Sequence, residues 1–306
     1  HPVNIGLDFA FLNNRLNGTV EFYNKKGTDL LASTNGVSVE GQGFSTNVIN
    51  NGEMTNRGFE ITLNGVAIRN NDWNWNIQGV FGYNHSKVDY VDIKAPFYIL
   101  QLDYPESFPR VGNPFNSIYG YQYAGLTEDG LPQVYDAQGE KQSQSQPMDL
   151  ESIVYLGNRG PTFSGSLSTN LTWKNLTLSA LFMFEGGHQI KCPNCFNWSD
   201  RWTNPGDEAN TDVPRFVANE NPSLYCNMDL YNLSSAVVRD ADNFRFRNVS
   251  LTYNLPDQFL RKIKMDRVSI MGCIENVFSI AKSKQAKYML GLNNKPTYTI
   301  SLTLGI

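Results

Sequence analysis

The residues able to do chemistry crowd into one stretch, Gly186–Asn243. Cys192 and Cys195 form a C-x-x-C, with His188 four residues upstream and Cys226 further on. Three readings suit such a set. In an oxidising exterior it predicts a disulfide, and Cys192 or Cys195 joined to Cys226 would close the larger loop. Zinc held by His188, Cys192, Cys195 and Cys226 has a workable spacing, but the second paired motif of a structural zinc site is missing. Thiol redox chemistry would need a βαβ setting, which the flanking sequence does not offer. The fourth cysteine, Cys273, falls mid-strand and reads as a small buried residue.

The same stretch holds Phe196–Phe216, where Trp198 and Trp202 alternate with Asp200, Arg201, Asn204 and Asp207. Flat apolar rings beside hydrogen-bonding groups bind sugar rings or peptide side chains by stacking and polar contact. The competing reading is that the rings anchor the loop itself or dock a partner. Tyr119, Tyr121 and Tyr123 pose the same choice. Asp240-Ala-Asp242-Asn243 opens like a calcium loop, but Arg245 and Leu251 stand where Gly and Glu are needed, so it is a turn. The histidines His1, His85 and His188 are scattered, with no Ser/His/Asp pattern. No catalytic set, metal site or cofactor is expected, and a carboxylate pair for glycoside hydrolysis has no signature in sequence.

What positions these residues is a series of alternating strands. In the opening hairpin Ile5, Leu7, Phe9 and Phe11 share one face, Asn4, Asp8 and Ala10 the other, and Asn13-Asn14 makes the turn. Leu16, Val20 and Phe22 return against Asn17, Thr19 and Glu21. Seven further segments repeat the pattern: Phe59–Ala67, Trp73–Tyr83, Phe163–Trp173, Leu176–Phe184, Val249–Leu255, Val268–Ile274 and Tyr298–Ile306. Glu21, Glu60, Glu185 and Glu275 lie on the wet faces. Tyr23, Trp73, Trp75, Tyr83, Trp173, Tyr253 and Tyr298, near strand ends, suit an interfacial girdle.

The chain has 306 residues, a net charge of -4 and a mean hydropathy of -0.37. No basic surface suggests nucleic acid. Uninterrupted apolar runs fall short of the roughly 20 residues that a helical span needs, which leaves a membrane barrel open because its strands alternate. The connections favour that barrel. Leu12–Arg15, Arg69–Asp72, Lys174–Asn175 and Pro256–Lys264 are short, and they alternate with long Asn24–Thr55, His85–Thr162, Gly186–Asn243 and Ser279–Pro296. Short periplasmic turns and long external loops produce that asymmetry. Ser117–Leu126 is strand-like, yet a span there would put Lys174-Asn175 outside, so it belongs to an external excursion. About nine spans result. Bacterial barrels use even numbers and must close, so the expectation is an all-β antiparallel transmembrane barrel of which this is one portion. The chain begins on a strand at His1, which fits a piece of a longer polypeptide.

Several runs resemble the SusC/RagA type of TonB-dependent outer-membrane transporter of the Bacteroidota. They are NIGLDFAFLNNRLNGTVEFYNKKGTDLL, GEMTNRGFEITL, SIYGYQYAGL, DRWTNPGDEANTDVPRF, RDADNFRFRNVSLTYNLP and ENVFS, in family order from Val3 to Ile306. The resemblance implies residues 1–306 as the carboxy-terminal part of a roughly 22-stranded plugged barrel. It implies that the plug and amino-terminal strands lie outside this chain, and the end at Ile306 in place of the family's usual terminal aromatic is likewise expected to be truncation. It further implies import of oligosaccharides or oligopeptides, a SusD-like surface lipoprotein as lid, energy from TonB, outer-membrane lipid around the barrel, and a dimer of transporter–lipoprotein pairs. The alternatives are a secreted β-rich glycan-binding module whose apolar faces meet a dry core, and an extracellular polysaccharide-degrading enzyme.

Overall fold

A computed structural model describes residues 2–35, 46–143, 149–215 and 228–305. The first four strands are β1 (Pro2–Phe11), β2 (Leu16–Asn35), β3 (Thr46–Arg69) and β4 (Trp73–Val91). Short strands follow: β5 (Ser117–Tyr121), β6 (Tyr123–Leu126), β7 (Pro132–Tyr135), β8 (Lys141–Gln142) and β9 (Ile153–Asn158). Then come β10 (Phe163–Trp173), β11 (Leu176–Gly186), β12 (Gln189–Lys191), β13 (Val238–Asp240), β14 (Asn243–Asn254), β15 (Arg267–Ala281) and β16 (Thr297–Gly305). One antiparallel sheet of nine strands runs β1-β2-β3-β4-β10-β11-β14-β15-β16.

The sheet has one apolar face, and nothing among the described residues covers it. Ile5 and Leu7 are 64% exposed, Ile300 85% and Leu302 61%. Water would not leave so large a continuous apolar surface bare, so lipid is its solvent. The registers carry the face across every strand: Phe9 pairs Gly18, Gly18 pairs Leu63, and Leu167 pairs both Gly79 and Phe182. A polar group on this face finds a partner within it, as lipid demands: Trp75 Nε1 donates to Thr169 Oγ1 at 2.8 Å. Two glycines set the register by making room for rings. Phe184 lies over Gly165 and Phe163 over Gly186, each on the directly opposed residue, where a Cβ would come within 2.5 and 2.4 Å of the ring.

The other face is polar. Glu21 opposes Glu60, Ser164 opposes Glu185, and Glu185 opposes Asn243. Arg245 donates to Glu185 and to Asn243 Oδ1, which neutralises one carboxylate in an otherwise acidic row.

Two expectations are corrected. Asn24–Thr55 is not a plain loop, because β2 continues to Asn35 and β3 starts at Thr46. β14 begins at Asn243 rather than near Val249: a bulge at Arg247 lets Phe244 and Phe246 share the lipid face with Val249 and Leu251 despite their opposite parity.

The long connections fold into an external layer. β5 pairs β9, β6-β7-β8 form a meander, and β12 pairs β13. Their core is Leu102, Tyr119, Tyr121, Val134, Ile153 and Leu230. Arg110 ties it together, donating to the carbonyls of Ile153 (2.6 Å) and Leu150 (3.0 Å). Ser117–Leu126 is external, as the strand count requires, although β5 finds its partner in β9 and not in an adjacent hairpin. The layer grips the sheet where Val88 N donates to Asn113 O (2.9 Å) and Gly112 N to Val88 O (2.8 Å).

Candidate functional site

The external layer holds a cleft of about 760 Å3. Its wall is a chain of three rings from three separate segments. Tyr123, at the start of β6, meets Tyr231 edge-on with centroids 5.8 Å apart. Phe196 meets the same Tyr231 edge-on at 6.0 Å. Tyr231 is buried within a short helical stretch, 228–232. Polar groups complete the lining, chiefly Asn197, Asp200, Asp212 and Arg239. Tyr123 Oη donates to Asp212 O at 2.9 Å, and burial raises both tyrosine phenols, so they stay protonated.

The cysteine loop supports this wall. Cys192 and Cys195 are joined in a disulfide with Cα atoms 5.5 Å apart, and Cys195 borders the cleft. This pairing replaces the expected bridge to Cys226, which lies outside the described residues, and it removes both thiolates from any zinc set. Asn194, at φ +59°, closes the tight turn and exchanges two hydrogen bonds with Asn232, each 3.2 Å. The turn is thereby pinned beside Tyr231. His188 is buried at the junction of β11 and β12, where desolvation lowers its imidazole against the opposing pull of Asp242. Among the described residues no group of three or more His, Cys, Asp or Glu could hold a metal ion.

The expected cargo residues scatter. Asp200 lines the cleft, held by Asn197 Nδ2 at 3.1 Å and Ser199 Oγ at 3.2 Å. Arg201 places its guanidinium 5.1 Å from the Phe196 ring, one of the three rings of the wall. Three residues are corrected. Tyr119 and Tyr121 are 1% exposed, in the external core and not on a surface, because both faces of β5 are covered. Trp202 is likewise buried, its Nε1 donating to Glu208 Oε2 at 2.9 Å. Asn204 sits on the exposed turn, with its backbone N–H on Asp207 Oδ2 at 2.9 Å, outside the cleft. The Trp198 side chain lies outside the described residues. Tyr123, Phe196, Asp212, Tyr231 and Arg239 are the lining that sequence reasoning does not assemble. Of these only Tyr123 stands out in the sequence, and only as one of three equivalent tyrosines.

No protein-family model matches the chain. TonB-dependent receptor P3 of Formosa agariphila is 25% identical over 336 residues, covering 99% of this chain and 32% of that protein. TonB-dependent receptor SusC of Bacteroides thetaiotaomicron is 30% identical over 148 residues, covering 45% of this chain and 14% of SusC. The RagAB peptide importer in its open-open state superposes with a TM-score of 0.78 at 23% identity, over 100% of this chain and 34% of that one. The chain is a portion of a SusC/RagA-type TonB-dependent receptor. It spans about a third of the length of P3 and of the RagAB chain. Its place is the outer membrane, and the bare apolar face of its sheet is the lipid contact.

In this SusC/RagA-type segment two carboxylates tie down the Trp202 loop. Glu208 accepts from Trp202 Nε1 and from Gly206 N, and Asp207 accepts from Thr203 N, Thr203 Oγ1 and Asn204 N. These bonds hold both carboxyls below their usual values. A depressed folded pKa means the stabilisation is complete above the ordinary carboxyl value and is lost as pH falls through the lowered one. Acidification from above the ordinary carboxyl value to well below it should therefore move Trp202 emission to the red, and Glu208→Gln should flatten that transition.

Proposed function

We propose that this chain is the carboxy-terminal part of an outer-membrane barrel that imports oligomeric nutrients, oligosaccharides or oligopeptides. In the whole protein a plug fills the lumen, TonB supplies the energy and a SusD-like surface lipoprotein closes the outside. Two transporter–lipoprotein pairs form the assembly. The observation that carries the reading is the pairing of a lipid-exposed sheet with a folded external layer at one end only. That layer carries the cleft of Tyr123, Phe196 and Tyr231, and the sheet has a polar face, so a stacked, hydrogen-bonded oligomer would find one surface outside and another along the lumen. A soluble glycan-binding module or a secreted hydrolase would have no use for a bare apolar face.

Uptake by the producing bacterium tests this. Deleting the gene should abolish entry of a fluorescent oligosaccharide mixture or of a fluorescent oligopeptide mixture, while leaving the matching monomers unaffected. A protonophore should stop the same uptake in the parent strain. Undiminished entry of both oligomer classes in the deletion strain would overturn the proposal.

A further inference from the structure

The end of the sheet that carries the short turns is charged unlike the rest of the chain. Arg15, Arg69 and Lys174 sit in or beside three of the turns. The fourth connection adds Arg261, Lys262, Lys264 and Arg267, against only Asp72, Asp257 and Asp266 for the whole end. The chain overall carries -4, whereas this end, with seven basic residues against three acidic ones, is positive. All seven basic side chains are exposed, and none belongs to any of the four ion pairs found among the described residues. Such a rim has unspent capacity for anions.

The apolar residues beside it say which anions. Trp73 and Trp173 stack at 5.7 Å on the lipid face, and their row continues through Leu176, Tyr253 and Ile270. Lys174 directly follows Trp173 and holds its Nζ 5.9 Å from that ring. Acyl-facing residue, ring, then cation is the order of depths that a phospholipid presents as tail, carbonyl and phosphate. The connection between β14 and β15 repeats it on a helix, Asp257–Ile263. Phe259 and Ile263, four residues apart on one helical face, are 54% and 50% exposed, whereas Leu260 is buried. Lys262 lies 5.8 Å from the Phe259 ring. A short helix with bare apolar residues and a basic flank suits a membrane interface.

We propose that this end of the barrel is a binding rim for anionic phospholipid headgroups in the facing leaflet, with the Asp257–Ile263 helix as its foot. The proposal rests on the barrel reading above, and it names a lipid partner that the reading does not require. Arginine forks would take the phosphate oxygens in pairs and lysines as point charges.

The intact transporter in mild detergent, given equimolar palmitoyl-oleoyl phosphatidylglycerol and phosphatidylethanolamine, can be assayed by native mass spectrometry for retained lipid. Phosphatidylglycerol should be retained over phosphatidylethanolamine by about fivefold or more, since each near-surface cation is worth about a fivefold preference. Combining Lys174→Gln with Arg261→Gln, Lys262→Gln and Lys264→Gln should bring the ratio close to one. Asp257→Asn with Asp266→Asn should raise it above wild type, and this second variant keeps the test decisive if the first fails to fold. Equal retention by wild type, or a preference unmoved in both variants, would overturn the rim. Failure of the barrel reading itself would show separately, as wild-type protein with no heat-modifiable migration in detergent.

Discussion

Leu167→Arg is expected to destabilise the folded barrel by about 2–4 kcal/mol, while Asn170→Arg on the same strand leaves it nearly unchanged. The difference comes from the face each residue occupies. Leu167 is 45% exposed on the apolar side, opposite Gly79 and Phe182. Asn170 is exposed on the polar side, opposite Asn76 and Ser179. Depth sharpens the contrast. Leu167 lies six residues from Trp173, so at roughly 3.3 Å per residue and about 40° of tilt it sits roughly 15 Å from that ring. This is close to the middle of the hydrocarbon, where a guanidinium has no water within reach. Refolding into phospholipid vesicles across a denaturant series measures the effect: the Leu167→Arg protein should lose its heat-modifiable band at a markedly lower denaturant concentration. Equal losses for the two variants would mean that the apolar face does not meet lipid.

The nine membrane strands are legible because each residue in them answers to one of two solvents, which imposes a period of two with little exception. Where the sheet leaves the membrane that pressure ends. The outer halves of β2 and β3 carry Asn24, Lys25, Lys26 and Asn56, Arg57 among ladder-paired residues, a composition that reads as loop. Phe244 and Phe246 fall out of phase with Val249 because the single bulged residue, Arg247, cannot be seen in the pattern. The site is harder still. Tyr119, Tyr121 and Tyr123 look equivalent in S-I-Y-G-Y-Q-Y, yet the first two are covered on every side and the third forms a cleft wall. The ring that separates them is Tyr231, far away in the chain, and its approach is set by the disulfide turn and the Asn194–Asn232 bonds. Local sequence carries no trace of such a meeting.

Trp202 is the most conspicuous candidate for stacking on cargo in the sequence, and its burial predicts a different phenotype. Trp202→Ala should cost the external layer about 3–5 kcal/mol, the usual loss for a buried tryptophan that leaves a cavity behind. The ring packs over Gly130, which has φ +73° and no room for a Cβ: one placed there would lie 2.4 Å from Trp202 Cδ2. Loop 127–131 and segment 201–213 are therefore interlocked. The backbone repeats the link, with Arg215 N donating to Gly130 O at 3.0 Å and Trp202 N to Val213 O at 3.0 Å. Removing the indole would leave Glu208 with one donor fewer and open the space over Gly130. Trp202→Phe separates the two contributions: it keeps most of the packing and loses the Nε1–Glu208 bond, the smaller of the two losses because the carboxylate recovers water in its place. Limited proteolysis of the intact transporter in detergent reads the result. Cleavage within 196–215 should accelerate strongly in the Ala variant and mildly in the Phe variant, while heat-modifiable migration of the barrel is retained in both, because the lipid-facing sheet makes no use of this ring. A Trp202→Ala protein whose loops resist protease as well as wild type, yet which no longer takes up oligomers, would instead return Trp202 to the cargo surface.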